Sequence, residues 1–203
     1  MKKQFAFVRA HRLASLYALA AVLTVLGCLF AALWDAAGYA TGRLHTETVP
    51  FSSLTAQDIV CSGSGVWVSS GDDPQLLLTA DQTVRTVRWE TPADPTAAEG
   101  YYGRAGSFSL RRRVFGQAAE KGGALLVFPL PGGSTVRIDP AASAGVVLAQ
   151  GADAVLYLNE PQPLWRYFAL RPQQWFWLLV IPAALAAVWD QGSAVGRALK
   201  KTA

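Results

Sequence analysis

The chain has 203 residues, 52% of them hydrophobic and only 16% charged, with a formal net charge of +4. This balance excludes a disordered, charge-rich chain and leaves room for one globular domain together with membrane segments. Two cysteines and two histidines exclude both a disulfide framework and a zinc cluster.

Residues 1–12 carry Lys2, Lys3, Arg9 and Arg12 and no acid. Residues 13–34 then run without a charge or a proline. At about 1.5 Å per residue they span roughly 33 Å, enough for the hydrocarbon core of a bilayer. A first transmembrane helix is predicted there, since only a helix satisfies its own backbone in lipid. The rival reading is a cleaved signal peptide ending near Gly38-Tyr39-Ala40, but the apolar run exceeds a signal core of about 7–15 residues.

Residues 35–172 read as an extracytoplasmic domain on short tethers. Short β runs are predicted at 65–69, 75–80, 83–90, 100–104, 107–114, 124–129, 134–138, 145–149 and 154–158. Turn-rich stretches separate them at 70–74, 92–95, 120–123, 131–134 and 151–153. Within 83–90, Val84, Val87 and Trp89 break strict alternation, which predicts a bulge or a strand end. Segments 96–100 and 141–145 fit single helical turns. The spacing argues for an all-β antiparallel sandwich. Cys61 is the single exported cysteine, so no disulfide forms within this domain.

Residues 164–171 mix aromatics with Arg166 and Arg171 and suit the headgroup level. A second transmembrane helix is predicted at 173–189, shorter than the first and kinked by Pro182. An interfacial or buried helix is its rival reading. Residues 190–203 carry Arg197, Lys200 and Lys201, and Asp190 is their one acid. Eleven basic and twelve acidic side chains lie in 41–171, so the basic excess resides in the tails. The positive-inside rule then places both termini in the cytoplasm and the middle outside. Nucleic-acid binding is thereby excluded as the meaning of the positive charge. Trp34, Trp165, Trp175, Trp177 and Trp189 mark the membrane boundaries. Gly27 with Ala31, and Ala183 with Ala187, have the small-xxx-small spacing that permits close helix packing.

Catalytic equipment is sparse. His45 and Cys61 lie in no nucleophile motif, and there is no P-loop or dinucleotide fingerprint. Ser62-Gly63-Ser64-Gly65 lacks the strand–nucleophile–helix context of an elbow. The twelve scattered acids leave a paired-carboxylate site open. Trp67, Trp89, Tyr101 and Tyr102 could stack on a sugar ring, but for any one of them a place in the core is the favoured reading. On a strand, Arg111 and Arg113 would share a face and Arg112 would take the other, either blunting an edge or meeting an anionic polymer or lipid headgroups. Arg137 and Asp139, two apart, would pair with Asp72 or Asp73 as a structural clasp. The same acids as a structural Ca²⁺ loop form the sharper alternative, although the six to eight oxygens such a site needs are not identifiable. No other cofactor is expected.

Ser69-Ser70-Gly71-Asp72-Asp73-Pro74-Gln75-Leu76, then Gly100-Tyr101-Tyr102 with Phe108-Ser109, then Leu125-Leu126-Val127-Phe128-Pro129-Leu130, then Thr135-Val136-Arg137-Ile138-Asp139-Pro140 and Gly145-Val146-Val147-Leu148 follow in that order. This order resembles the jelly-roll, galactose-binding-like β-sandwich modules appended to bacterial membrane glycosyltransferases of envelope polysaccharide assembly. The resemblance covers roughly 58–160, and no glycosyltransferase catalytic domain accompanies it. It implies an accessory module: a non-enzymatic envelope protein whose sandwich binds glycan or docks on polysaccharide assembly machinery. The alternative is a structural or assembly subunit of a membrane protein complex that binds no glycan.

Overall fold

A computed structural model describes residues 11–103, 108–151, 153–170 and 172–202, with the side chains of 172–173 and 194–202 excepted. The chain divides into two compact units, one formed by Met1–Trp34 with Pro163–Ala203 and the other by Asp35–Gln162. Lys2, Lys3, Arg9, Arg171 and the side chains of Arg197, Lys200 and Lys201 lie outside the described residues, as do Arg104 and Ser107 at the ends of two expected strands and Ala152 in an expected turn.

The helical unit contains most of α1 (Arg12–Ala40), the short α2 (Leu164–Tyr167) and α3 (Pro172–Thr202). Two stretches, Arg12–Ala40 and Gln174–Ser193, are long and apolar enough to cross a membrane. Their mean hydropathies are 2.4 and 1.3, so the first is the more apolar. α3 continues through Pro182 and beyond Trp189, which supplies the backbone length that its apolar stretch alone lacks. Arg12 is ion-paired and hydrogen-bonded to Asp190, and the Tyr17 hydroxyl donates to the Leu179 carbonyl at 2.7 Å. A Cβ on Gly27 would meet nothing within 4 Å, so its small-residue face makes no tight contact here.

The second unit is antiparallel β throughout its strand pairings. Its strands are β1 (Glu47–Pro50), β2 (Thr55–Gln57), β3 (Ile59–Cys61), β4 (Val66–Ser69), β5 (Gln75–Val84), β6 (Thr86–Trp89), β7 (Glu99–Gly103), β8 (Arg113–Phe115), β9 (Gln117–Ala118), β10 (Ala124–Val127), β11 (Gly133–Asp139), β12 (Val147–Gln150) and β13 (Val155–Leu158). They form two five-stranded sheets, β1-β13-β6-β10-β9 and β2-β5-β11-β7-β8, and a three-stranded sheet, β12-β4-β3. One apolar cluster takes residues from all three sheets, including Val87, Trp89, Leu126 and Leu156 from the first and Leu76, Leu78, Val136 and Ile138 from the second. Trp67 and Leu148 join it from the third. The arrangement is that of an antiparallel β-sandwich built on side-chain alternation.

The irregular run 83–90 has a topological explanation. The chain leaves the second sheet after Val84 and enters the first at Thr86, with Arg85 alone at the crossing. Alternation resets there, so Val84 and Val87 both reach the core. The expected strand at 107–114 is corrected: Leu110–Arg112 is a 3-10 turn and β8 starts at Arg113. The Ser109 hydroxyl oxygen accepts from the Arg111 backbone at 3.2 Å and favours the turn over an extended start. A second 3-10 turn, Pro95–Ala97, is capped by Asp94, while 141–145 forms bends and a turn without a helix. β1, β2 and β3 arise from a stretch in which no strand is expected. β2 is exposed at every position, so no apolar pattern marks it.

Candidate functional site

Strand register decides which side chains share the outward face of the β2-β5-β11-β7-β8 sheet. Val136 lies opposite Tyr102, Arg137 opposite Tyr101, Ile138 opposite Gly100 and Asp139 opposite Glu99. Val136 and Ile138 are in the core, so Arg137, Asp139, Tyr101 and Glu99 point the other way. β8 extends this row, with Arg113 opposite Tyr101 and Phe115 opposite Glu99. Gln75, before the core residue Leu76, joins the face from β5.

These side chains form a connected polar network. Arg137 Nε and Nη2 each donate to the Asp139 carboxylate at 2.7 Å, a two-pronged pairing. Arg137 Nη2 also reaches Asp73 at 3.4 Å, and Gln75 Nε2 donates to Asp73 at 2.6 Å. The guanidinium of Arg137 lies 5.1 Å from the Tyr101 ring centroid. The Tyr101 hydroxyl donates to Glu99 at 2.7 Å, and Arg113 Nη1 lies 3.4 Å from both Glu99 oxygens. Arg113 also sits 4.6 Å from the centroid of Phe115, which is 56% exposed. Burial pushes the Asp139 carboxyl above its ordinary value, and the Arg137 hydrogen bonds pull it back only in part. Burial, followed by the bond to Glu99, raises the Tyr101 phenol, which keeps it a hydrogen-bond donor.

The face therefore offers planar donors and acceptors in a row, beside one exposed ring. That is the chemistry that recognises a polyol: paired hydroxyls against carboxylates and guanidiniums, and C–H surface against an aromatic ring. Glu99, Gln75 and Phe115 escape recognition in the sequence, because only the register shows that they share a face with Arg137. Their signal is the spacing of two: Glu99 with Tyr101, Arg113 with Phe115, Arg137 with Asp139.

The other candidates sort by position. Trp67 is 8% exposed and packs on Phe51 with ring centroids 5.5 Å apart, so it belongs to the core and offers no stacking surface. Trp89, 1% exposed, is also core. Alternation turns Tyr102 inward, against Phe128 at 5.5 Å. Tyr101 faces outward, but with 9% exposure it presents little open ring. Arg111 and Arg112 are exposed on the 3-10 turn just before β8, on no strand face. In the clasp, Arg137 engages Asp139 and Asp73. Asp72 is exposed, and among the described residues its carboxylate makes no hydrogen bond or ion pair. Also among the described residues, no group of three His, Cys, Asp or Glu side chains is placed to hold a metal ion. His45 precedes β1 and Cys61 ends β3, in different sheets, so strand pairing does not bring them together.

Two further charged clusters lie elsewhere in the domain. At the sheet crossing, Arg85 Nε donates to Asp35 at 2.9 Å and Nη2 at 3.1 Å, and its Nη1 bonds the Phe128 carbonyl. Asn159 is fully buried beside them, held at φ 50°. Its Oδ1 accepts from the backbone of Arg85 at 2.7 Å, and its Nδ2 donates to Gln82 and to the Thr83 carbonyl, both at 2.8 Å. Its own carbonyl accepts from the Tyr39 hydroxyl at 2.7 Å. On the outward face of the first sheet, Arg88 Nε donates to Glu160 at 2.5 Å and its guanidinium stacks 4.0 Å from the Tyr157 ring centroid.

No family model matches the chain, and no curated protein sequence matches it. Among solved structures, it is similar to a low-affinity xylan-binding module, CBM86, from Roseburia intestinalis, at 13% identity and a TM-score of 0.33, over 57% of this chain and 91% of that one. It is also similar to a structure of the CBM32-1, CBM32-2 and M60 catalytic domains of ZmpB from Clostridium perfringens, at 9% identity and a TM-score of 0.32, over 56% of this chain and 17% of that one. Likeness at this level bears on neither the fold nor the ligand of the present chain.

Proposed function

We propose that this is a non-enzymatic, membrane-anchored envelope protein whose β domain binds glycan on the outward face of the β2-β5-β11-β7-β8 sheet. The observation that carries the reading is the row of Gln75, Arg137, Asp139, Glu99 and Arg113, planar polar groups beside the exposed ring of Phe115. The two long apolar helices support anchoring in a bilayer. The charge partition along the sequence supports cytoplasmic termini and an external β domain. A jelly-roll-like accessory module of envelope polysaccharide assembly fits this picture.

The test uses the full chain in phosphatidylcholine nanodiscs on a glycan array. Binding of at least one polysaccharide is expected, weakened roughly tenfold by Phe115→Ala or Arg137→Ala. Absence of binding to every glycan, with the β domain folded, overturns the reading. A second reading is that the same face docks a membrane protein partner. It draws support from Leu110 and Phe115, apolar and 76% and 56% exposed at one edge. Capture of a protein partner that Phe115→Ala abolishes, without glycan binding, would establish it.

A further inference from the structure

The row of planar groups ends in two arginines that its network does not use. The three carboxylates of the network, Asp73, Asp139 and Glu99, are each already met by Arg137 or Arg113. Arg111 and Arg112 add two guanidiniums at the β8 edge, and among the described residues neither side chain makes a hydrogen bond or an ion pair. This edge of the sheet therefore carries more positive than negative charge, with the excess exposed.

The turn that carries them is ordered by its own backbone. The Ser109 hydroxyl oxygen accepts from the Arg111 N–H at 3.2 Å, and the Ser109 carbonyl accepts from the Arg112 N–H at 2.9 Å. With about three residues per turn, successive side chains on a 3-10 turn diverge by about 120°. The two guanidiniums fan apart, which suits charges repeated along a polymer better than a single doubly charged group. Leu110 and Phe115 flank them with apolar surface that can cover the C–H face of a ring.

We propose that the ligand of this face is an acidic polysaccharide, its hydroxyls held by the Arg137–Asp139–Glu99 row and its carboxylates met by Arg111 and Arg112. The inference rests on the glycan-binding reading above and names the class of glycan. Charge complementarity at the β8 edge selects it. Glu99 is the one acid among the described residues of β7, β8 and the turn before it, against Arg111, Arg112 and Arg113. Asp72, Asp73 and Asp139 instead gather with Arg137 on the β5 and β11 side. An anionic membrane surface would also attract arginines beside leucine. It has no use for the adjoining row of planar hydrogen-bonding groups, and it becomes an outcome of the test.

The experiment measures binding of the full chain in phosphatidylcholine nanodiscs to polygalacturonate and to the same polymer with its carboxylates reduced to alcohols. The proposal expects polygalacturonate to bind at least tenfold more tightly, with the advantage shrinking as salt rises. Arg111→Gln with Arg112→Gln should remove roughly five- to tenfold of that affinity and leave the reduced polymer unaffected. The charge-conserving pair Arg111→Lys and Arg112→Lys should retain most of it. Equal binding of both polymers, unmoved by the glutamine pair, overturns the acidic class and leaves the glycan reading standing. Binding of neither polymer, or co-flotation of the nanodiscs with phosphatidylglycerol vesicles in place of polymer binding, overturns the proposal. If the array in the earlier test also stays blank, the glycan reading falls with it.

Discussion

The β domain holds two arginine–aspartate networks, and they differ in what surrounds them. Arg85 and Asp35 are 5% and 6% exposed, at the crossing between sheets, with Asn159 filling the backbone gaps around them. Arg137, Asp139 and Asp73 lie on a sheet face, and the Asp73 side chain is 61% exposed. Similar ion pairs thus do different work. The buried pair removes water from both partners and fixes where the chain turns from one sheet to the other, whereas the surface pair leaves donors and acceptors within reach of a ligand.

The largest expected effect falls on the buried network. Asp35→Ala leaves Arg85 buried and uncompensated, and should cost about 3–5 kcal/mol of domain stability in denaturant unfolding of the full chain. Asp35→Leu combined with Arg85→Leu should recover most of that loss. A single-variant cost below about 1 kcal/mol would break the comparison, because the pair would then behave as a surface one.

Gly123 probes the same rigidity by a steric route. Its φ is +81°, and a Cβ would come within 2.1 Å of the Trp89 carbonyl oxygen in the neighbouring strand. Gly123→Ala should lower stability by about 1–3 kcal/mol. An unchanged melting midpoint would mean that the β6–β10 pairing yields easily at that point.

On the sheet face, Asp73 is solvated but the Asp139 side chain is only 13% exposed, so Arg137→Ala should cost about 1–2 kcal/mol of stability, less than Asp35→Ala. Its effect belongs in glycan affinity. A large stability loss with unchanged binding would make the Arg137 clasp purely structural.

The smallest effects are those of pH. Burial works to raise the Glu160 carboxyl, but the hydrogen bonds from Arg88 and Lys121 outweigh it and hold the group below its ordinary 4.5. Its stabilisation is therefore complete above pH 4.5 and lost as pH falls through the lower folded value. The stability gap between the wild-type chain and Glu160→Gln should be widest near neutrality and close below that pH. Asp139 has the opposite sign. Its folded value lies above the ordinary 3.8, so ionisation costs stability as pH rises through that range and acid relieves the cost. Asp139→Asn should accordingly lose less at neutral pH than Glu160→Gln. Unfolding curves at several pH values would show whether the two variants diverge in this way.

Much of the architecture was legible in the residues. Long uncharged runs predict the two apolar helices, and short alternating segments between turn residues predict an antiparallel β domain. β1 to β3 were not legible because strands of three or four residues at sheet edges are too short to show a period, and β2 is exposed throughout. The switch at Arg85 showed only as broken alternation, since a single residue between two strands leaves no turn signature. The site was half legible. Arg137 and Asp139 stand out through their spacing, but Glu99 and Phe115 join them only through the pairing of β7 with β8 and β11. Trp67 and Tyr102 take the core role favoured for them, and aromatic identity alone could not separate them from the outward-facing Tyr101, because a strand's alternation determines which rings turn inward.

The account's central claim is that glycan binds the β2-β5-β11-β7-β8 face. The most direct measurement compares the affinity of the nanodisc-held full chain for its strongest glycan ligand in two variants: Phe115→Ala on that face and Thr48→Ala, an exposed position of β1 in the other sheet. The account predicts roughly tenfold weaker binding for Phe115→Ala and wild-type binding for Thr48→Ala, with both melting midpoints unchanged. Equal affinities, or a loss only at Thr48, would contradict it.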